Sequence, residues 1–146
     1  MAPLIALVGG FVVLRALGFA GVDVLDGWQP AVRGGLALMF LMTGLAHFFG
    51  KLRADMIAMV PERLPRPALL VTVTGVLEIA GAVGLLVPAT ARAAAICLGV
   101  LLVVMFPANV SAALRKLEFG GRPATPLPRR TAEQVLYLAA AVLAAL

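Results

Sequence analysis

The sequence predicts an all-α, polytopic transmembrane helix bundle, and three observations carry that prediction. Five apolar stretches cover most of the chain, the Lys and Arg residues crowd into two of the gaps between them, and few charges interrupt the stretches themselves. Hydrophobic residues make up 62% of the 146 positions and charged residues 13%, where an ordinary soluble domain carries about 25% charged residues. A water-soluble chain this short has too little interior to hide that much apolar surface. The length suits a single domain.

A bilayer-crossing helix needs about 20 predominantly apolar residues. The candidate spans are Leu4–Val22, Ala31–Gly50, Ala68–Pro88, Arg92–Ala112 and Thr131–Leu146. The last is short, but its start is marked. Pro128 precedes it, Thr131 can cap it, and Gln134 stands where a capping box places Glu or Gln. The first stretch has an alternative reading as a signal peptide, with Gly18 and Ala20 small enough for a cleavage site. Against this, Arg15 interrupts the apolar core and no basic segment precedes it. Cleavage would leave the other four spans oriented as before.

The basic residues set the direction. Lys51, Arg53, Arg63 and Arg66 lie between the second and third spans, and Arg115, Lys116, Arg122, Arg129 and Arg130 follow the fourth. With five spans, both groups fall on one side of the bilayer. The other side has only Arg33 and Arg92, at span edges, together with Asp23 and Asp26. The positive-inside rule then places the N-terminus in the cytoplasm and the C-terminus outside. The Ala/Arg/Gly-rich composition points to a bacterial plasma membrane. The net charge of +5 sits beside apolar spans, so anionic lipid headgroups explain it better than nucleic acid does. No interleaving of aromatic and basic residues supports nucleic-acid binding. The single cysteine, Cys97, excludes an internal disulfide and a CxxC pair.

Between the second and third spans, residues 51–67 read as an interfacial segment. Leu52, Met56, Met59 and Val60 share one helical face, and Lys51, Arg53, Asp55, Glu62 and Arg63 supply the polar remainder. Pro61, Pro65 and Pro67 forbid a long continuous helix. The expectation is a short helix on the membrane surface followed by a proline-stiffened return; an ordinary linker is the alternative. Glu118 to Pro128 reads as a Gly/Pro-rich loop.

Candidate functional residues are the polar groups inside apolar spans: Arg15, His47, Thr74, Glu78 and Asn109. An ionised carboxylate at mid-bilayer costs at least about 2.5 kcal/mol, so Glu78 must be protonated, paired or turned into the bundle. Thr74, Gly75, Gly81 and Ala82 share its face, and small residues there admit a close neighbouring helix. At about 1.5 Å per residue, Arg15 falls within about 5 Å of the midplane, near the level of Glu78. His47 and Asn109 fall about 9 and 10 Å to the cytoplasmic side. Two polar layers are expected, Arg15 with Glu78 as a buried ion pair and His47 with Asn109. Structural roles compete with functional ones: Asn109 follows Pro107 and can cap a kink, and Cys97 reads as a small hydrophobe. One His and one Cys give no credible zinc or bis-His haem site. A carboxylate, a histidine and an asparagine would also suit the head of a quinone or another carbonyl-bearing lipophile.

Arg33-Gly-Gly-Leu-Ala-Leu-Met-Phe-Leu-Met-Thr-Gly-Leu-Ala-His47-Phe48 resembles the opening helix of DoxX-like membrane proteins. Met59-Val-Pro61 with Leu64-Pro65-x-Pro67 resembles that family's link, and Gly75-Val-Leu-Glu78-Ile-Ala-Gly81 resembles its Leu-Glu-x-x-Gly helix. Phe106-Pro107-Ala108-Asn109 is similar to a Pro-Ala-Asn segment of one branch. The resemblance covers Ala31 to Leu146 and implies a four-helix membrane core, to which the first span is an addition. Some members of that family are similar to subunits of thiosulfate:quinone oxidoreductase, and others are linked to thiol and oxidative-stress partners. A thiol relay here would need a partner to supply the second thiol.

Two functional expectations follow. One is a non-catalytic membrane module or accessory subunit, favoured by the lack of any nucleophile–base pair, phosphate loop or metal cluster in the sequence. The other is a quinone- or lipid-binding subunit of a redox complex that uses Glu78, His47 and Asn109. Proton-coupled transport is weaker, because no inverted repeat is visible.

Overall fold

A computed structural model describes residues 2–146. Six helices form in chain order: α1 (Ala2–Phe19), α2 (Trp28–Ala46), α3 (Gly50–Met59), α4 (Pro67–Leu86), α5 (Ala91–Leu114) and α6 (Leu127–Ala145). A short 3-10 turn, Asp23–Leu25, joins α1 to α2, and a two-residue hairpin of β1 (Glu118–Phe119) and β2 (Arg122–Pro123) joins α5 to α6.

Local chemistry accounts for the boundaries. α1 stops where Gly21 turns left-handed at φ 98°. Val22 N–H then donates to Leu17 carbonyl at 3.1 Å and Gly21 N–H to Gly18 carbonyl at 3.1 Å, the paired bonds of a Schellman ending. α5 ends in the same way with a lysine in the glycine position. Lys116 adopts φ 52°, and Leu117 N–H reaches Ala112 carbonyl at 3.0 Å. Pro67 opens α4 at the first helical position, where its missing N–H costs nothing. α6 starts four residues before the expected Thr131. Thr131 therefore lies inside the helix, its hydroxyl donating to Leu127 carbonyl at 3.0 Å, and caps nothing. Pro128 fits the first turn of α6, where an N–H has no intrahelical partner in any case.

Helices α2, α4, α5 and α6 pack in a closed ring, and α1 lies outside it against α2. The core between them is filled by Leu36, Met39, Phe40, Leu85 and Leu98. At one end of the bundle, Arg33 Nε at the start of α2 donates to Ala144 carbonyl at the end of α6 at 2.9 Å, so these two helices run antiparallel. Glycines set the closest approaches. A Cβ on Gly75 would stand 2.6 Å from His47 Cβ, and one on Gly44 would stand 3.1 Å from the Gly75 carbonyl. α2 and α4 thus meet almost backbone to backbone. Gly35 plays the same part toward α1, where a Cβ would come within 2.6 Å of the Leu7 carbonyl.

The outward faces are apolar, with Val12, Val76, Ile96, Val100 and Val104 all exposed. Such a surface calls for lipid, not water. α1, α4 and α5 are each long and apolar enough to cross a membrane, and α2 with α3 forms a fourth candidate if the bent pair counts as one span. α6 does not meet that standard, because Arg129, Arg130 and Glu133 lie in its first turns. A helix forms at each of the five expected places, and three or four of them are long and apolar enough to count as spans by themselves. The 92° bend between α2 and α3 turns residues 50–59 across the bundle axis, as a surface-lying helix requires.

Gly75→Ala should overpack the α2–α4 crossing and cost about 1–3 kcal/mol, read as a lower thermal midpoint in detergent. Gly9→Ala, whose Cβ would meet nothing within 4 Å, should be neutral or stabilising by up to about 1 kcal/mol.

Candidate functional site

The α2–α4 crossing builds a polar cluster inside the bundle. Thr43 and His47 are one turn apart on α2 and its C-terminal cap, so both side chains face the same way. Glu78, in the middle of α4, projects between them and is 3% exposed, while His47 is 7% exposed. The Thr43 hydroxyl donates to Glu78 Oε2 at 2.6 Å. His47 Nδ1 stands 2.9 Å from the Thr43 carbonyl. A carbonyl can only accept, so Nδ1 carries the proton in this bond. The same nitrogen is 3.9 Å from Glu78 Oε2. The carboxylate thus finds its main partner in a hydroxyl, and the imidazole is fixed by backbone.

Arg53, on the first turns of α3, locks this arrangement from the basic end. Its Nη1 donates to His47 carbonyl at 3.0 Å and its Nη2 to Thr72 Oγ1 at 2.9 Å and Ala68 carbonyl at 3.3 Å. One guanidinium therefore satisfies a carbonyl at the end of α2 and ties α3 to the first turns of α4. Composition and charge counting place Arg53 only among the basic loop residues, because its role depends on the bend after Phe49.

The two expected polar layers do not form. Arg15 does not pair with Glu78. Its Nη1 lies 3.6 Å from Asp26 Oδ1, and its guanidinium stacks over the Phe19 ring at 4.0 Å. The Cα of Arg15 sits one turn from the end of α1, and a long side chain carries its charge toward the polar end of a helix when it can. His47 joins Glu78 and not Asn109, which is half-buried on α5 and stands outside the cluster. α5 continues through Pro107 to Leu114. Thr74 bonds back to its own helix, donating to Leu70 carbonyl at 2.9 Å. The hydroxyl partner of Glu78 is Thr43. It is visible in the sequence only as a polar residue one turn before His47.

A second buried polar group lies on α6, where Glu133, Gln134 and Tyr137 are each less than one-tenth exposed. Gln134 Nε2 donates to Leu102 carbonyl at 2.9 Å, and Arg129 Nε to Glu133 Oε1 at 3.1 Å. The Tyr137 hydroxyl and Arg130 Nε are buried without a hydrogen-bond partner among the described residues. The spacing of 130, 133, 134 and 137 on one helical face is the sequence signal that marks this group. No cluster of three or more His, Cys, Asp or Glu side chains among the described residues could hold a metal ion.

Two open depressions on the surface are of a size to hold a small group. One of about 460 Å³ is lined by α1, α2 and α4, among them Gly9, Gly10, Val13, Gly34 and Leu38, and is almost wholly apolar. The other, of about 490 Å³, lies at the basic end. Neither is lined by Glu78, His47 or Asn109.

The profile of a family described as a domain of unknown function (DUF8561) matches residues 36–145. No curated protein and no solved structure matches the chain. The family match overturns the resemblance to DoxX-like proteins. Two of the segments that carried that resemblance, those ending in His47-Phe48 and around Glu78, are rich in Gly, Ala and Leu. Any tightly crossed pair of membrane helices selects such runs, because only small residues let the backbones approach. The match begins within α2 and takes in the rest of the four-helix ring, with α1 outside it.

Thr43→Ala should leave a buried carboxyl without its partner and cost about 1–3 kcal/mol, with Thr43→Ser restoring most of the loss. Arg15→Leu should leave the environment of Glu78 unchanged. Denaturation of the detergent-solubilised variants checks both.

Proposed function

The chain belongs to the DUF8561 family, and on the geometry of its polar core we propose that it is a non-catalytic integral membrane module that anchors or assembles a partner. One observation carries this reading. The Glu78 carboxylate is buried, its Oε2 accepts a hydrogen bond from Thr43 within the bundle, and neither cavity is lined by it. A group that binds or transforms a ligand must face space that the ligand can enter. Glu78, Thr43 and His47 instead face one another across a glycine-lined crossing, so their work is to fix how α2 and α4 meet.

The basic end is the part available to a partner. α3, the return to α4 and the hairpin form one cap there. Arg115 Nη1 donates to Ala58 carbonyl at 2.9 Å and Gly120 N–H to Asp55 Oδ2 at 2.8 Å. Lys51, Arg63, Arg66, Lys116 and Arg122 remain exposed on it. By the positive-inside rule this cap lies in the cytoplasm and the chain ends outside, in a bacterial plasma membrane. The competing idea, a quinone held by Glu78, His47 and Asn109, needs a head-group site that these residues do not surround.

Mass spectrometry of lipophiles co-purifying with the wild type and with a His47→Ala/Glu78→Gln variant tests the reading. Bulk phospholipid in both, with a less stable variant, is the expected result. A stoichiometric quinone lost from a variant that still folds would overturn it. A single cysteine introduced at Arg122 in a Cys97→Ser background should resist impermeant thiol reagent in intact cells, whereas one appended after Leu146 should react. The reverse pattern would invert the orientation.

A further inference from the structure

The cavity at the basic end is lined by Pro61, Glu62, Arg63, Ser111 and Arg115, with a volume of about 490 Å³. It joins two elements that the sequence keeps apart, the proline-stiffened return after α3 and the last turns of α5. Arg115 is held in place by three contacts. Nη1 donates to Ala58 carbonyl at 2.9 Å and approaches Ser111 Oγ at 3.5 Å, while Nη2 lies 3.4 Å from Glu62 Oε1. Arg63 is exposed and has no partner among the described residues. The wall thus presents one positioned guanidinium, one free guanidinium and one hydroxyl. A single carboxylate, itself 84% exposed, occupies the positioned arginine.

Depth identifies the solvent. Ser111 stands 20 residues along α5 from Ala91, about 30 Å at helical rise. That is about the thickness of the hydrocarbon core, so Ser111 and Arg115 sit at headgroup level when Ala91 is at the opposite boundary. We propose that this cavity binds a phosphate group, in the form of the headgroup of an anionic phospholipid. Arg63 and Arg115 offer forked N–H donors matched to phosphate oxygens, and Ser111 adds a hydroxyl donor. Glu62 acts as a stand-in anion. Its exposed pair with Arg115 contributes little to stability, so a phosphate displaces it at small cost. The site is separate from the buried Thr43–Glu78 cluster and does not depend on the role assigned to it.

The same oxygens belong to free phosphate, and the experiment separates the two sources. The full chain is titrated with phosphatidylglycerol and with phosphatidylcholine by native mass spectrometry in detergent. It is titrated with inorganic phosphate by calorimetry in phosphatidylcholine nanodiscs. Arg63→Gln should weaken phosphatidylglycerol binding about fivefold, the effect of one basic group at a membrane surface. Glu62→Gln should strengthen it by a similar factor. Arg122→Gln, on the hairpin outside the cavity, should have a smaller effect than Arg63→Gln. Saturable phosphate binding with the same variant pattern, and no preference for phosphatidylglycerol, would keep the phosphate site and replace the lipid by a soluble ligand. Binding of neither probe would overturn the proposal, as would phosphatidylglycerol binding that ignores Arg63 or responds equally to Arg122.

Discussion

Everything in the bundle depends on how closely α2 and α4 approach. Gly44 and Gly75 leave no side chain at the crossing, so the Gly75 carbonyl and the His47 Cβ occupy space that any larger residue would fill. In lipid, apolar contact alone gives helices little reason to associate, since the acyl chains are as apolar as leucine. Close backbone packing and a hydrogen bond in a water-poor setting supply what is missing. The Thr43–Glu78 bond provides the second, and it spans the crossing that the glycines make possible. Either feature without the other would be costly: a carboxyl beside a distant helix would lack its partner, and a glycine seam without a polar lock would leave the pairing less specific.

Charge is handled by moving it to the ends. Arg15, one turn from the end of α1, carries its guanidinium to Asp26 and the Phe19 face. Arg53 spends its donors on carbonyls and a hydroxyl at the junction of α2, α3 and α4. Arg115 ties α3 to α5. Two of the basic residues at that end, Arg53 and Arg115, are therefore fasteners between helices. The bend after Phe49 makes this economy possible, because it lays α3 across the bundle axis where its arginine reaches two helix ends.

α6 is the most polar member of the ring and its least conventional one. Glu133, Gln134 and Tyr137 face inward, and Gln134 bonds the Leu102 carbonyl of α5. An amphipathic helix can close a membrane bundle only if its polar face turns away from lipid. α6 does so, leaving Val135, Leu136, Val142 and Leu143 on the outside. Its failure to read as a simple apolar span and its place in the ring have the same cause.

The sequence alone determined the membrane class, the all-helical fold, the five helix positions to within a few residues, and the inward face of Glu78. These follow from local composition and from the 3.6-residue period, which need no knowledge of neighbours. Its short motifs did not determine the family, because small-residue helix seams recur wherever membrane helices cross closely. Nor could it determine the partners. Rise per residue places Cα atoms, whereas a flexible arginine puts its charge several ångströms from its own Cα, so Arg15 met Asp26 and not Glu78. His47 caps α2 and Asn109 lies on α5, and these two helices are not neighbours in the ring. Only the tertiary structure decided that Thr43 holds Glu78, that Arg53 locks their helices, and that Arg63, Ser111 and Arg115 share one cavity. Each of those contacts joins residues whose separation in space is set by a bend or a crossing, and no local pattern in the chain encodes that distance.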